Sequence, residues 1–311
     1  MKVFIFMVVA VAVLVEESTS ISLEEELTLT YDHKVKLDKF RDLVAHRLPH
    51  DYMKEDLHLI RWLRVNDFNI PAAEKMIMEN VKWREDNNID NILTEDWSEF
   101  DKEYKLSVEG CDKHGRPVIS TTIGDWDMRK AVVTGRAERM MRYTDKLMEE
   151  GNILVRHLQK LGQNVTQFVE IFDMSNFNLI NHGCAQCIAI YSYNFQSYEK
   201  HYPLSVHRAI SVNTPGIFHT VMSVFRPLLS KQTRDIVSIY GRDKQEWQVA
   251  LQKEITRENL SKQFGGLREE VADVNDLRKN PSLYKCHQFD GTITGLVDSN
   301  NNLKREVVKS G

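Results

Sequence analysis

Cys184 and Cys187 are the two residues whose type and spacing come closest to a chemical site. Thiolates in a C-x-x-C pair can hold a zinc ion, but a structural zinc site needs further ligands at a suitable spacing. The sequence offers no second pair, and the segment has the pattern of a helix interior. We therefore interpret these cysteines as small buried side chains and predict no metal site. Whether they or Cys111 and Cys286 form disulfides stays open.

Motifs of the common enzyme classes are missing from the chain. There is no G-x-S-x-G nucleophile elbow and no H-E-x-x-H metalloprotease motif. Neither of the glycine-rich phosphate loops, G-x-x-x-x-G-K-[ST] and G-x-G-x-x-G, occurs. The eleven histidines show no grouping typical of metal ligands. We predict a protein that is not an enzyme, with no catalytic residues and no cofactor.

The most informative segment is nearly devoid of polar residues and follows Thr214-Pro215-Gly216. As a helix, residues 217–229 place five apolar side chains on one face, namely Phe218, Val221, Met222, Phe225 and Leu229. Three more, Ile217, Val224 and Leu228, widen that face. The segment could be a helix packed inside the core, or a movable lid between a lipid and a membrane. Periodicity alone favours the core helix.

The surrounding pattern predicts helices first, and then strands that alternate with helices. Apolar residues at helical spacing indicate a helical lobe over residues 32–92. Beyond it, strands are predicted at 116–122, 167–174, 209–212 and 236–240. Helices are predicted between strands at 136–161 and 185–198, and after the last strand at 245–255. Strands connected by helices imply an α/β fold with a mostly parallel sheet. Residues 276–311 form a polar tail.

Charge and composition exclude some partners. Of the 311 residues, 42% are hydrophobic and 28% are charged, and the formal net charge is −4. Because nucleic acids bind to clustered positive surfaces, this balance argues against a nucleic-acid partner. It also argues against a purely electrostatic hold on an anionic membrane.

The amino terminus has the layout of a secretory signal peptide. Lys2 precedes an apolar run over residues 3–15, and small residues close the segment at Ser18–Ser20. We predict a signal peptide over residues 1–20 and a location in the secretory pathway or outside the cell. A start-site artefact or a short anchor remains an alternative. Entry into that pathway would make Asn164 and Asn259 glycosylation candidates, since each begins an N-x-[ST] sequon.

Several short motifs occur in an order that resembles the CRAL-TRIO lipid-binding family, which includes carriers of retinaldehyde, tocopherol and phosphatidylinositol. They are Leu59-Ile60-Arg61-Trp62-Leu63-Arg64, Lys82-Trp83-Arg84, Asp112-Lys113-His114-Gly115-Arg116-Pro117-Val118, Phe172-Asp173-Met174, Tyr202-Pro203, Val212-Asn213-Thr214-Pro215, Arg226-Pro227-Leu228-Leu229 and Asn259-Leu260-Ser261-Lys262-Gln263-Phe264-Gly265-Gly266. The resemblance covers about residues 33–270. Most members of the family work in the cytosol, so a cytoplasmic location is the alternative.

The resemblance implies a lipid-binding domain over residues 103–270, whose sheet floors an apolar pocket. It implies that the helix at 217–229 is the gate of this pocket, which favours the lid interpretation. Candidate wall residues are Ile119, Thr121, Phe172, Ile190 and Val212. The expected partners are one small hydrophobic lipid and, transiently, a membrane surface, with the protein a monomer. The alternative is an interaction module in which a pocket lipid is only structural.

Two positions depart from the pattern of the family's phosphatidylinositol carriers. Those carriers have a glutamate directly after Tyr-Pro and a lysine after the gate, whereas this chain has Leu204 and Ile236 there. A phosphoinositide headgroup would lack its charge-assisted hydrogen bonds. We therefore doubt phosphoinositide binding and expect a more apolar ligand, such as a sterol-like, isoprenoid, retinoid or fatty acyl lipid.

Overall fold

A computed structural model describes residues 28–280 and 283–287 of the chain. The predicted signal peptide at 1–20 and most of the predicted tail lie outside the described residues. The helices are α1 (Tyr31–Val44), α2 (Asp56–Val65), α3 (Ile70–Asp86), α4 (Ser98–Glu103), α5 (Met128–Val133), α6 (Ala137–Lys160), α7 (Leu179–His182), α8 (Ala185–His201), α9 (Gly216–Phe225), α10 (Lys231–Ile236), α11 (Lys244–Glu254) and α12 (Val274–Lys279).

One six-stranded sheet organises the second part of the chain. Its strands are β1 (Ser107–Cys111), β2 (Pro117–Thr121), β3 (Phe168–Asp173), β4 (Val206–Val212), β5 (Val237–Ile239) and β6 (Ala272–Asp273), in the spatial order β5-β4-β3-β2-β1-β6. The pairs from β2 to β5 are parallel, while β1 is antiparallel to both neighbours. The prediction of an α/β fold with a helical amino-terminal region and a mostly parallel sheet is confirmed.

The amino-terminal helices pack around their own apolar cluster, which includes Phe40, Trp62 and Ile77. Asn69 caps α3 by accepting a hydrogen bond from the backbone N–H of Ala72 at 3.1 Å, as Asn does before a helix. This lobe is fixed to α6 by a buried ion pair of Arg84 with Glu149, 2.6 Å from nitrogen to oxygen. The helical lobe therefore forms a fixed wall beside the sheet domain.

The long helix α6 runs through Gly151 without a break. A Cβ at this position would lie 2.7 Å from the ring of Phe168 on β3, so the glycine allows the helix to approach the sheet closely. Glycine has low helix propensity, so its place in the middle of a long helix requires an explanation. Tertiary packing explains the residue.

The two faces of the sheet are covered differently. On one face, Val118, Val169, Ile171, Ile210 and Val212 pack under α11 against Trp247 and Leu251, and all are almost fully buried. The other face turns toward α6 at one end and toward α8 at the other. Among the residues that the structure describes, no helix is long and apolar enough to cross a membrane.

All four cysteines of the chain are paired. Cys111 of β1 forms a disulfide with Cys286, and Cys184 forms one with Cys187 at the start of α8, with Cα–Cα distances of 5.2 and 4.9 Å. The first bridge fastens a segment after α12 to the edge of the sheet. Within the described part of the chain, no cluster of three His, Cys, Asp or Glu side chains could hold a metal ion.

The two predicted glycosylation sites differ in their exposure. Asn164 lies on an exposed turn before β3. Asn259 is completely buried: its side-chain oxygen accepts from the backbone N–H of His287, and its amide nitrogen donates to the hydroxyl of Thr256. Because a glycan on that nitrogen would have no space, the folded protein contradicts the prediction for Asn259.

Candidate functional site

One face of the central strands carries side chains that are inside the molecule but not fully packed. Five half-buried residues share this face, namely Glu170 and Phe172 on β3, Ala209 on β4, and Val237 and Ile239 on β5. Register places Glu170 beside Ala209, and Ala209 beside Val237. In a sheet, directly paired residues point to the same face. These five side chains therefore form one patch, which is the floor of the candidate pocket.

Helix α9 packs against α8 and against the segment that precedes α7. Phe225 at its end is 1% exposed and packs against two aromatic rings of α8, with centroids 5.2 Å from Phe195 and 6.3 Å from Tyr191. Near its beginning, Phe218 makes an edge contact with Phe177 at 5.3 Å. The inward face of α9 is thus held by three aromatic contacts and has no ion pair or side-chain hydrogen bond to another helix among the described residues.

The opposite face of α9 points to solvent and carries two large apolar residues beside the polar residues His219, Thr220 and Ser223. Ile217 and Val224, two turns apart, are 41% and 58% exposed. Leu179 and Ile180 of the short helix α7 are also exposed, and Phe177 just before them contacts Phe218.

Leu228 lies in the 3₁₀ turn Arg226–Leu228, which ends α9 because Pro227 cannot continue the helical hydrogen bonds. The helix is therefore shorter than the predicted 217–229.

Polar contacts hold the two ends of the α9 segment. Before the helix, Asn213 adopts a left-handed φ of 54° and donates to the carboxylate of Asp173 at 3.0 Å. Burial alone would raise the pKa of Asp173, but hydrogen bonds from Ser175, Asn213 and Gln263 outweigh it and lower that pKa below its usual value. After the helix, the backbone N–H of Ser230 donates to Glu199 of α8 at 2.8 Å. The ends of the segment are anchored, while its middle is held by apolar contacts.

The predicted wall residues do not all meet in one place. Ile119, Thr121 and Phe172 lie on the pocket side of the sheet, although Ile119 is packed under the α6 side and is 2% exposed. Ile190 lies instead in a helical cluster with Trp126 and Tyr143. Val212 lies on the opposite face of the sheet under α11. The period of two along β4, together with its pairing, sends this side chain away from the pocket.

The two substituted headgroup positions lie near the amino ends of β4 and β5. Leu204 precedes β4 with a left-handed φ of 53°, and its side chain is half-buried. Ile236 ends α10 and packs against the apolar cluster between the sheet and α6. Both positions therefore present hydrocarbon, and neither supplies a charge for a phosphate.

Sequence reasoning missed the aromatic side of the candidate pocket and the acidic group on its floor. Tyr191, Phe195 and Tyr198 recur along α8 at spacings of four and three, a signal that could have placed them on one helix face. Glu170 lies among apolar residues in the predicted strand 167–174, where no local pattern distinguishes it. Burial raises the pKa of this carboxyl to about 7.

Comparison with known proteins agrees with this architecture. A sequence model of the CRAL/TRIO domain matches residues 101–266. This chain belongs to the CRAL/TRIO domain family. Members of the family are lipid-binding and lipid-transfer proteins that interact with membranes and are generally not enzymes. The predicted family is confirmed.

Individual relatives share the domain at modest identity. The SEC14 cytosolic factor of Kluyveromyces lactis is 27% identical over 251 residues, which are 78% of this chain and 80% of that protein. The protein real-time of Aedes aegypti is 24% identical over 209 residues, covering 66% of this chain but 32% of that protein. Patellin-4 of Arabidopsis thaliana is 26% identical over 220 residues, covering 68% of this chain and 38% of that protein. The chain thus spans about a third of the two longer relatives.

A solved structure shows the same fold. The crystal structure of Sfh5 superposes on 69% of this chain and 82% of its own with a TM-score of 0.57, at 14% identity. This likeness concerns the fold alone. The Kluyveromyces relative is named a cytosolic factor, which agrees with the cytoplasmic alternative for the location.

Proposed function

We propose that this protein carries a single small hydrophobic lipid in the space between the sheet and α9, and exchanges it at membranes by moving α9. The observation that carries this proposal is that α9 packs aromatic side chains inward and also exposes large apolar side chains to solvent. Phe225 faces the interior against Phe195, while Ile217 and Val224 face solvent. A helix packed permanently in the core would have no exposed side, and exposed apolar residues that are grouped on a surface helix are typical of an interaction surface.

The physical advantage of such a carrier is large. Each methylene transferred out of water contributes about 0.8 kcal/mol, so exposing a sixteen-carbon chain costs on the order of 13 kcal/mol. A closed pocket removes most of this barrier. Because α9 buries its outer face only when it lies in a bilayer, membrane contact favours the open state and water favours the closed state.

The membrane-facing surface extends beyond α9 in this proposal. Leu179 and Ile180 of α7 lie next to the start of α9 through the contact of Phe177 with Phe218. Exposed apolar residues that are grouped, rather than scattered singly, are typical of interaction surfaces. We call Leu179, Ile180, Ile217 and Val224 the outer apolar patch.

The proposed ligand is not a phosphoinositide, because Leu204 and Ile236 supply no charge to a phosphorylated headgroup.

The proposed location is the secretory pathway or the exterior of the cell. The pairing of Cys111 with Cys286 and of Cys184 with Cys187 supports it, since stable disulfides are rare in reducing compartments. The proposed role is non-catalytic, and the proposed state is monomeric.

Native mass spectrometry of the purified full chain, followed by extraction and identification of the bound lipid, tests the carrier function. We expect one neutral lipid per chain, and acceleration of its transfer between two populations of phosphatidylcholine vesicles. A phosphoinositide in the extract would contradict the assignment of Leu204 and Ile236. A chain that binds no lipid and accelerates no transfer would be an interaction module instead.

A further inference from the structure

Glu170 is an isolated carboxyl group on the floor of the pocket. It occupies the middle of β3, between Val169 and Ile171, whose side chains pack on the opposite face of the sheet. Among the residues that the structure describes, none forms a hydrogen bond or an ion pair with its carboxylate, and burial is the cause of its altered pKa. The isolation of Glu170 is unusual, because buried polar groups are generally paired.

Other buried acids of this protein show the usual arrangement. Glu149 receives hydrogen bonds from the guanidinium of Arg84. Glu109 accepts from the hydroxyl of Ser120 at 2.7 Å and from the backbone N–H of Ser261 at 2.6 Å. The fold therefore satisfies these acids from within and leaves Glu170 with its hydrogen-bonding capacity unused.

The surroundings of Glu170 indicate that it faces the pocket and not bulk water. Its side chain retains accessible surface, yet burial raises its pKa to about 7. A group that lines an internal space has accessible surface and is nevertheless shielded from bulk water. Its neighbours on that floor are hydrocarbon, since Ala209 lies directly beside it and Phe172 lies two residues along the strand. Burial and, after it, the charge of Glu170 raise the pKa of Tyr198, which places this tyrosine of α8 near the carboxyl.

The chemistry of this group restricts what can occupy the pocket. A purely hydrocarbon ligand would leave the carboxyl unpaired in an apolar environment, which is costly. An anionic phosphate would be repelled by it. A hydroxyl group donates the hydrogen bond that the carboxyl lacks. The rest of a lipid alcohol is hydrocarbon, which matches the apolar floor.

We propose that Glu170 accepts a hydrogen bond from a hydroxyl group of the carried lipid, so that the pocket selects neutral lipid alcohols over pure hydrocarbons and anionic phospholipids. This inference rests on the proposed carrier function and names the ligand class of the same pocket. Glu170 acts as the specificity-determining residue, while Phe172 and Ala209 supply the apolar surface.

A matched pair of probes tests the inference in the full chain. A fluorescent sterol and its 3-methyl ether differ in one hydrogen-bond donor. At pH 8, where Glu170 is mostly ionised, a hydrogen bond to a charged group predicts binding of the alcohol about tenfold or more tighter than binding of the ether. Glu170→Leu is expected to bind both probes equally, and Glu170→Gln to keep a reduced preference. Glu85→Gln, at an exposed position of α3, is the matched control and should retain the preference.

The possible results separate this inference from the carrier function. Equal affinities of the two probes for the wild-type protein would overturn the role of Glu170 and leave the carrier function intact, even if Glu170→Leu did not fold. A preference for the alcohol that persists in Glu170→Leu would also overturn it. Binding of phosphatidylinositol in preference to the sterol would contradict the selectivity. Failure of both probes to bind would contradict carriage of neutral lipids itself.

Discussion

Phe225 at the end of α9 packs against Phe195 of α8, with ring centroids 5.2 Å apart and planes inclined at 44°. This contact joins α9, the helix that we propose moves, to α8, which is fixed against α6. Because Phe225 is almost fully buried, it belongs to the closed state and not to the membrane-facing surface.

Loosening this aromatic contact should favour the open state. Aromatic pairs contribute about 0.5–1.5 kcal/mol beyond their buried area, so Phe225→Leu should increase opening of α9 by about two- to tenfold. Amide hydrogen exchange of residues 217–225 measures this, and we expect faster exchange there with unchanged rates in α3. Unchanged exchange of α9 would mean that the contact does not limit its opening.

Charge on the outer apolar patch should abolish exchange at membranes without unfolding the protein. Val224 is 58% exposed, so Val224→Asp removes no core contact but places a charge where a bilayer would be met. We expect loss of vesicle-to-vesicle transfer with a thermal midpoint within a few degrees of wild type.

Val249→Asp is the control for that variant. Val249 is 55% exposed on α11, which covers the opposite face of the sheet. Transfer by Val249→Asp should equal that of wild type. Equal loss in both variants would indicate a general surface effect, and α9 would then not be the contact with the membrane.

The stability of the lipid-free protein should depend on pH through Glu170. Its pKa rises from 4.5 in the reference state to about 7 on folding, so the folded state holds the proton more tightly than the unfolded chain. The free energy of unfolding therefore falls as pH rises through this window, by about 3 kcal/mol if the full shift applies. Denaturant titrations between pH 4.5 and 8 should show a smaller decline in Glu170→Gln, and identical slopes would contradict the shift.

Removal of the two disulfides should have unequal effects. Cys111 and Cys286 enclose 175 residues, whereas Cys184 and Cys187 are separated by three. The loop-entropy relation predicts that losing the long-range bridge costs about 3–4 kcal/mol more than losing the local one. Two double variants compare these losses, one with Cys111 and Cys286 replaced by serine and one with Cys184 and Cys187 replaced. Urea titrations measure the free energy of unfolding of each. A larger loss from the local bridge would mean that contacts around α8, and not loop closure, determine the effect.

Gly151→Ala should destabilise the protein even though alanine favours helices. A Cβ at residue 151 would lie 2.7 Å from the Phe168 ring, and overpacking of this kind typically costs about 1–3 kcal/mol. The gain in helix propensity, about 1 kcal/mol, offsets part of this. Thermal unfolding should show a lower midpoint. A raised midpoint would show that Phe168 can move aside freely.

The order of helices and strands could be predicted from the sequence, because apolar periodicity and turn residues are local signals. The alternation of strands and helices after residue 103 predicted the mostly parallel sheet. The apolar segment after Pro215 predicted a helix that is apolar nearly all round. The substitutions at Leu204 and Ile236 could be recognised from the resemblance alone, since motif spacing fixes those positions.

Which side chains share the candidate pocket depends on the tertiary structure. Val212 and Phe172 both lie in central strands, yet pairing and the period of two send Val212 beneath α11 and Phe172 to the opposite face of the sheet. Ile190 and Tyr191 are neighbours in α8, but they have different partners. Ile190 packs in a helical cluster, whereas Tyr191 contacts Phe225 of α9. Burial of Asn259 likewise depends on His287, 28 residues further along the chain. A side chain's partners across the fold depend on strand register and helix rotation, and these are fixed by packing between distant segments that no local pattern encodes.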